Sequence, residues 1–293
     1  MPSLVLAPVT RALRRSFGVS AAGRFGLFDR IVIGTVLVVV VVALVGPWLA
    51  PYDPYRSDII NAFLPPAPDH WLGTDQQGRD VLSRLLVGAQ ISLLASLAIV
   101  GLFALIGVIV ATAATLGGRW VDQVLMRAVD VGLALPGMVL ALGLAAALGP
   151  SVQSAIIALG LSGWPATARL LRTAMAETMT QPYIEGAEAL GVSRARLLLR
   201  HIWPNAKDVL IVQWTMDIGV TIVVLASLSF LGVGAQPPTP EWGAMLTEAS
   251  GQIGTAWWTF FAPAAAITIT AFAFGLLGET LQMKSDQSGG TPL

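Results

Sequence analysis

The run IVIGTVLVVVVVALVGPWLA, residues 31–50, carries no charged side chain over 20 consecutive positions. An α-helix rises about 1.5 Å per residue, so about 20 apolar residues cross the ~30 Å hydrocarbon core of a bilayer. Arg11, Arg14, Arg15, Arg24 and Arg30 precede the run. It exceeds the roughly 7–15 apolar residues of a signal-peptide core, and no small-residue cleavage site follows it. A retained first membrane span is therefore expected.

Composition agrees. Of the 293 residues 55% are hydrophobic and 12% charged, against roughly 25% charged in soluble domains. With no cysteine there is no disulfide framework, thiolate metal site or thiol nucleophile. The two histidines, His70 and His201, are too few and too far apart in sequence for a metal centre.

Five further spans are expected near residues 86–116, 121–148, 151–171, 209–235 and 257–281. Pro136 and Gly137 fall inside the third and Pro165 inside the fourth, where neighbouring helices must satisfy the freed backbone groups. Basic residues orient the bundle. With the N-terminus in the cytosol, 14 of the 17 Lys and Arg residues lie on the cytosolic side. Arg56, Arg79 and Arg84 fall outside, and residues 236–256 contain no Lys or Arg. The expectation is an all-α integral membrane protein of six spans with both termini cytosolic. Residues 51–85 then form an extracytoplasmic loop, and residues 185–206 lie in the cytosol between spans four and five.

The chain lacks motifs for chemistry of its own. There is no GxxxxGK[ST] phosphate loop and no HExxH, so neither nucleotide hydrolysis by that route nor zinc proteolysis is expected. The string GLSG, residues 160–163, resembles the nucleophile motif of rhomboid-type intramembrane proteases. Such a serine needs a histidine base on a later span, and the later spans have none. The small residues are read as letting helices approach closely. No catalytic residue is expected.

The segment EGAEALGVSRARLLLRHIWPNA, residues 185–206, is a charged island in this apolar chain. Gly191 suits a helix C-terminus, because glycine adopts a left-handed backbone freely. Ser193 is placed as the N-cap of a second helix. Leu198 and Ile202 form one stripe of that helix, Leu199 and Trp203 the adjacent one, and Arg196 and Arg200 share the other side. Pro204 is tolerated in the first turn of the helix that follows. Two readings fit these features: an amphipathic helix with arginines at lipid phosphates, or a rigid docking element for a cytosolic partner.

The spacing resembles the EAA loop of ABC importer permeases. Glu185-Gly186-Ala187, Gly191, His201 and Trp203-Pro204 occupy its positions, with Gly186, His201 and Trp203 departing from the usual residues. Gly186 weakens the first helix by up to ~1 kcal/mol relative to Ala. Three further segments are similar to the dipeptide/oligopeptide/nickel branch: HWLGTDQQGRDVLSRLLVGAQISL (70–93), DVGLALPGMVLAL (130–142) and SFLGVGAQPPTPEWGAML (229–246). The likeness is to the second, C-type permease subunit, with a type I importer fold.

The resemblance implies three regions. Residues 1–85 hold a basic N-terminus, the first span and the outer loop; 86–282 the five-helix permease domain; 283–293 a cytosolic tail. It implies a second permease subunit, two ATPase subunits or one two-domain ATPase, and an extracytoplasmic binding protein, all at a bacterial inner membrane. ATP and Mg would sit on the ATPase, with no cofactor in this chain and no nucleic-acid partner. The coupling residues it implies are Glu185, Gly186, Ala187, Gly191, Arg200, His201, Trp203 and Pro204. ATP-driven closure would push on 185–206, tilt spans four and five and switch the access of the path. Related permeases serve dipeptides, longer peptides, nickel, glutathione and haem.

Other expectations rest on the residues alone. Thr74-Asp75-Gln76-Gln77 reads as a capping box. Pro237, Pro238 and Pro240 stiffen an outer turn, and Trp242, Trp257 and Trp258 suit the membrane interface. A carboxylate at membrane depth is costly and faces protein or water. Asp130 and Asp217 are therefore either groups along the translocation path or partners in structural hydrogen bonds. An ion-coupled secondary transporter is the alternative function, and these two acids are all it would have to work with.

Overall fold

The computed structural model describes residues 26–289, with side chains to residue 284. Arg11, Arg14, Arg15 and Arg24 lie outside the described residues. All the regular structure described is helical apart from one isolated antiparallel bridge, Thr74 to Asp80.

The first apolar run becomes α1 (Leu27–Leu49), opened by Gly26, whose N–H donates to Asp29 Oδ2 at 3.1 Å. Beyond it a loop with a short 3-10 turn (Ile59–Asn61) leads to α2 (Val81–Leu116). Its 36 residues rise about 54 Å, well beyond the bilayer core. It starts five residues before the expected span (86 − 81) because Arg84 finds partners in the preceding loop.

The expected third span is α3 (Gly118–Ala134) and α4 (Gly137–Leu148), bent by 87° at Leu135-Pro136. A single tilted span with an internal kink was expected, and a true break is found. Pro136 lacks the N–H that would continue the ladder and pushes Leu135 out of the helical region, to φ −85°, ψ 137°. By contrast, Pro165 stays inside a continuous helix, α5 (Val152–Met179).

Next come α6 (Pro182–Ala189) and α7 (Arg194–Leu197), then a π-helical turn (Leu198–Ile202) that runs into α8 (Trp203–Phe230). A short helix, α9 (Trp242–Ala249), precedes α10 (Trp257–Gly289). The last helix passes the expected end at residue 281 and enters the region read as a tail. Among the described residues, four helical stretches are long and apolar enough to cross a membrane, or five if the bent pair counts as one span. Helix α5, the expected fourth span, has 28 residues but is more polar, carrying Arg169, Arg172 and Glu177.

Helix α2 packs along α5, α10 along α8, and α1 leans on α2 and α10. Three buried clusters hold the bundle. One joins α1, α2, α8, α9 and α10, with Trp242, Trp258 and Phe274. A second joins α2, α4, α5 and α8. The third joins α2 and α5 to the charged island. In the second, Gly160 and Gly163 lie where a Cβ would run into the Leu102 and Phe103 side chains. Ser162 donates to Ala158 O at 2.7 Å, so GLSG is a helix-packing patch whose hydroxyl is used by its own helix.

Candidate functional site

The charged island is a jointed pair of helices seated on the bundle. Pro182 opens α6, where a missing N–H costs nothing. At its end Gly191 adopts φ +80°. Gly191 N donates to Glu188 O at 2.9 Å and Val192 N to Ala187 O at 3.1 Å, the paired bonds of a Schellman turn. Ala187 and Val192, the residues that touch in such a turn, both pack against the third cluster. Ser193 is the N-cap as expected, but its side chain makes no capping bond.

The π-turn at Leu198–Ile202 was not foreseen. Its cause is Pro204, which has no N–H and whose ring crowds the carbonyl four residues back, so the preceding turn widens. Asn205 Nδ2 donates to His201 O at 2.6 Å and reaches Tyr183 Oη at 3.3 Å, tying α6 to the start of α8. Tyr183 and His201 rings meet tilted, 6.2 Å apart.

Two faces result. Ile184, Leu197, Leu198 and Ile202 are buried against Ala111 of α2 and Leu171 and Met175 of α5. Glu185, Gly186, Glu188, Arg194, Arg196 and Arg200 are exposed; Ala187, His201, Trp203 and Pro204 are half-buried. Leu190 and Leu199 stand out among the charges at 87% and 68% exposure. The expected Leu198–Ile202 stripe thus faces the bundle. The adjacent stripe divides, Leu199 outward and Trp203 partly inward, because the π-turn adds a residue to the register. A Cβ at Gly186 would meet open space, so packing gives no reason for glycine there.

Asp130 and Asp217 have separate partners. On α3, Asp130 pairs with Arg169 of α5 through Arg169 Nη2 and Asp130 Oδ1, and Arg127 lies 3.8 Å away on its own helix. About two turns nearer the α3 start, Arg172 grips both oxygens of Asp122 at 2.8 and 2.9 Å. On α8, Gln213 Nε2 donates to Asp217 Oδ1 at 2.8 Å. Spacing exposes the Arg127–Asp130 pair, but the two bridges to α5 need the fold.

At the other end of the bundle lies a charged quartet that sequence reading missed. Arg79 Nε donates to Asp75 Oδ2 at 2.6 Å, while Arg79 and Arg84 both donate to Glu248 Oε2 at 2.9 and 2.7 Å. Arg84 Nε is 3.5 Å from Asp75. Both arginines are fully buried, and Arg79 Nη1 and Glu248 Oε1 have no protein partner. The adjoining cavity, lined by Asp75, Arg84 and Glu248, has room for about one water.

The quartet belongs to a closed cap at that end of the bundle. The capping box expected at Thr74 is not formed. Thr74 Oγ1 instead donates to Asn61 O at 2.6 Å and accepts from Leu64 N at 2.8 Å, because the chain is still in the loop there. The true N-cap of α2 is Asp80, whose Oδ2 accepts from Ser83 N at 2.7 Å. Trp242 and Trp258 were expected at the lipid interface but are buried, their indole N–H groups donating to Leu85 O and Thr74 O, both at 3.1 Å. Trp257 alone of the three is exposed. Glu241 caps α9, accepting from Gly243 N and Ala244 N at 3.0 and 2.9 Å. Burial pushes the Glu241 carboxyl up from its ordinary range, opposed by these two N–H groups and by the Ser229 and Ser92 hydroxyls.

The helices thus form an apolar bundle with a cap of loops and α9 at one end and the jointed helical island at the other. The chain belongs to the family of binding-protein-dependent transport system inner membrane components, matched over residues 88–288. Residues 31–66 match the N-terminal TM domain of oligopeptide transport permease C. Among its relatives is a probable D,D-dipeptide transport system permease protein, DdpC of Escherichia coli. It is 39% identical over 256 residues, spanning 87% of this chain and 86% of that protein. The glutathione transport system permease protein GsiD of Shigella sonnei is 44% identical over 248 residues, spanning 84% and 82%.

Two solved structures share the fold. One is an amino acid ABC transporter, with TM-score 0.56 and 16% identity over 69% of this chain and 94% of that one. The other is the MetNI methionine ABC transporter, with TM-score 0.56 and 18% identity over 67% and 94%. The chain is therefore a multi-pass inner-membrane permease subunit of an ABC importer, C-type by its N-terminal region. Family membership implies an ATPase and a substrate-binding protein as partners.

Proposed function

We propose that this chain forms half of the translocation path of an ATP-driven importer of small peptides or peptide-like solutes, with a second permease subunit completing it. Two ATPase subunits, or one two-domain ATPase, supply the ATP and Mg chemistry. An extracytoplasmic binding protein delivers cargo. The bundle crosses the membrane six times with both termini cytosolic, α5 and the bent α3–α4 pair included. Residues 1–85, 86–282 and 283–293 are the anchor with outer loop, the permease domain and the tail. Both relatives described above are named for small peptide cargo, which supports that class.

Residues 185–206 are the coupling element. The observation that carries this reading is the two-faced packing of the island. One apolar side is clamped to α2 and α5, while Leu190 and Leu199 are left exposed among Glu185, Glu188, Arg194, Arg196 and Arg200. A lipid-facing amphipathic helix would gather its apolar residues on the outer side. Here most face the bundle, and the outer side mixes charge with isolated leucines, as an interface does. A push on Leu190 and Leu199 passes through Ile184, Leu198 and Ile202 into α5 and α8 without slack. His201, Trp203 and Pro204 form the joint.

The test uses Glu185→Lys, Gly191→Pro and Leu199→Glu in the assembled transporter. Each should lower ATPase co-purification or uncouple ATP hydrolysis from uptake while the membrane level of the chain holds. Normal coupled uptake in all three would defeat the reading.

A further inference from the structure

Helix α3 leaves the direction of the bundle. Helix α2 is long and apolar enough to span a membrane. Helix α5 packs along α2 and α4 along α5, with Ala141, Ala145, Ala155 and Ala158 buried in one cluster. The 87° bend at Leu135-Pro136 therefore turns α3 nearly at right angles to α4 and across the bundle. It also lies at the surface. Val129 is its one buried residue, and none of residues 118–134 joins the three buried clusters.

Its ion pairs show at which end it lies. Arg172, the partner of Asp122, follows Leu171, which is buried with the island in the third cluster. In the proposed topology that end is cytosolic. Around α3, at about 100° per residue, the exposed surface divides in two. On one side of the packed edge at Val129 stand Arg119, Gln123, Arg127 and Asp130; on the other stand Trp120, Val121, Val124 and Val131. All eight are exposed, Trp120 at 81%. Met126 and Leu133 fill the border between the packed edge and the polar side. A charged row along a lipid-exposed side is costly in hydrocarbon, and the apolar row is costly in water. A helix lying in the interface gives each side its own solvent.

Resting on the topology proposed above, we propose that α3 is an interfacial helix lying in the plane of the membrane at its cytosolic surface. Trp120, Val121, Val124 and Val131 enter the acyl chains of the inner leaflet, and Arg119 and Arg127 meet lipid phosphates. The lengths agree. Such a helix sinks about 5–10 Å into the headgroup boundary, which leaves about 20–25 Å of a ~30 Å core to cross. Helix α4, with 12 residues, rises about 18 Å, and the extended Leu135 and Pro136 add about 7 Å. The pairs of Asp122 with Arg172 and Asp130 with Arg169 tie α5 to the membrane surface. Helix α3 thereby braces the cytosolic half of α5 when the island is pushed.

The cysteine-free chain allows spin labels at single introduced cysteines. The assembled transporter, its partner subunits also made free of cysteine, is placed in phosphatidylcholine nanodiscs. Labels at Trp120→Cys, Val124→Cys and Val131→Cys should collide with oxygen more than with a nickel chelate, and should lie at one depth within about 5 Å. In a spanning α3, positions 120 and 131 would differ in depth by about 16 Å. Labels at Gln123→Cys and Ala134→Cys should favour the chelate. All five native side chains are exposed, so the labels disturb little packing. The proposal is overturned by a graded depth or by the same collision preference on both sides of the helix. It is equally overturned if neither reagent reaches the apolar side, which places the second permease subunit there. Failure of the topology reads differently: a membrane-impermeant maleimide added outside spheroplasts would then label Gln123→Cys, while the depth pattern holds.

Discussion

Glu241 shows how one residue couples charge to the fold. It is almost wholly buried, yet it caps α9 with both carboxylate oxygens. Burial raises its proton affinity above that of the unfolded chain, so the folded state binds the proton more tightly. The sign follows by linkage: this group's contribution favours folding at low pH and is lost as pH rises from the unfolded value of 4.5 through the raised one. Glu241→Gln cannot titrate. Thermal midpoints of the wild type and Glu241→Gln, measured in detergent from pH 4.5 upward, should therefore diverge in slope, with the variant flatter. Parallel slopes would show that Glu241 carries no such linkage. In the sequence it is one acid after a proline-rich turn, and only its enclosure by α2 and α8 makes it a buried cap.

Between elements, the quartet of Asp75, Arg79, Arg84 and Glu248 pins the loop after α1 to the start of α2 and to α9. Removing one member of a buried ion network leaves an uncompensated charge and costs about 3–5 kcal/mol. Glu248→Gln should therefore lower the thermal midpoint of the purified transporter. The matched change Arg84→Met with Glu248→Leu should cost less, because both charges leave together. A midpoint for Glu248→Gln equal to the wild type would mean that water already screens the quartet. This device was illegible beforehand because its members come from residues 75–84 and 248, far apart in the chain. The island was the opposite case. Its Schellman turn at Gly191 and its helix start at Pro204 could be read directly, since both depend on backbone chemistry at adjacent positions.

For the molecule as a whole, the proposed orientation makes a separable prediction. In the cysteine-free chain, Ile60→Cys should be labelled by a membrane-impermeant maleimide added outside spheroplasts, and Leu190→Cys only after the inner face is opened. Both native side chains are highly exposed, so the substitutions disturb little packing. Labelling of Leu190→Cys from outside would reverse the proposed topology. The sequence by itself determined that the chain is helical and membrane-embedded, that a charged helical island interrupts it at residues 185–206, and which backbone signals shape that island. Apolar runs, glycine and proline act over a few residues and need no distant partner. Only the tertiary structure decided where the charges go. Arg79 and Arg84 became a buried clamp, Trp242 and Trp258 left the expected lipid interface for the core, and Asp130 met Arg169 across two helices. Each outcome depends on which side chains the packing brings within a few ångströms, because polar groups removed from water must find partners wherever the fold supplies them.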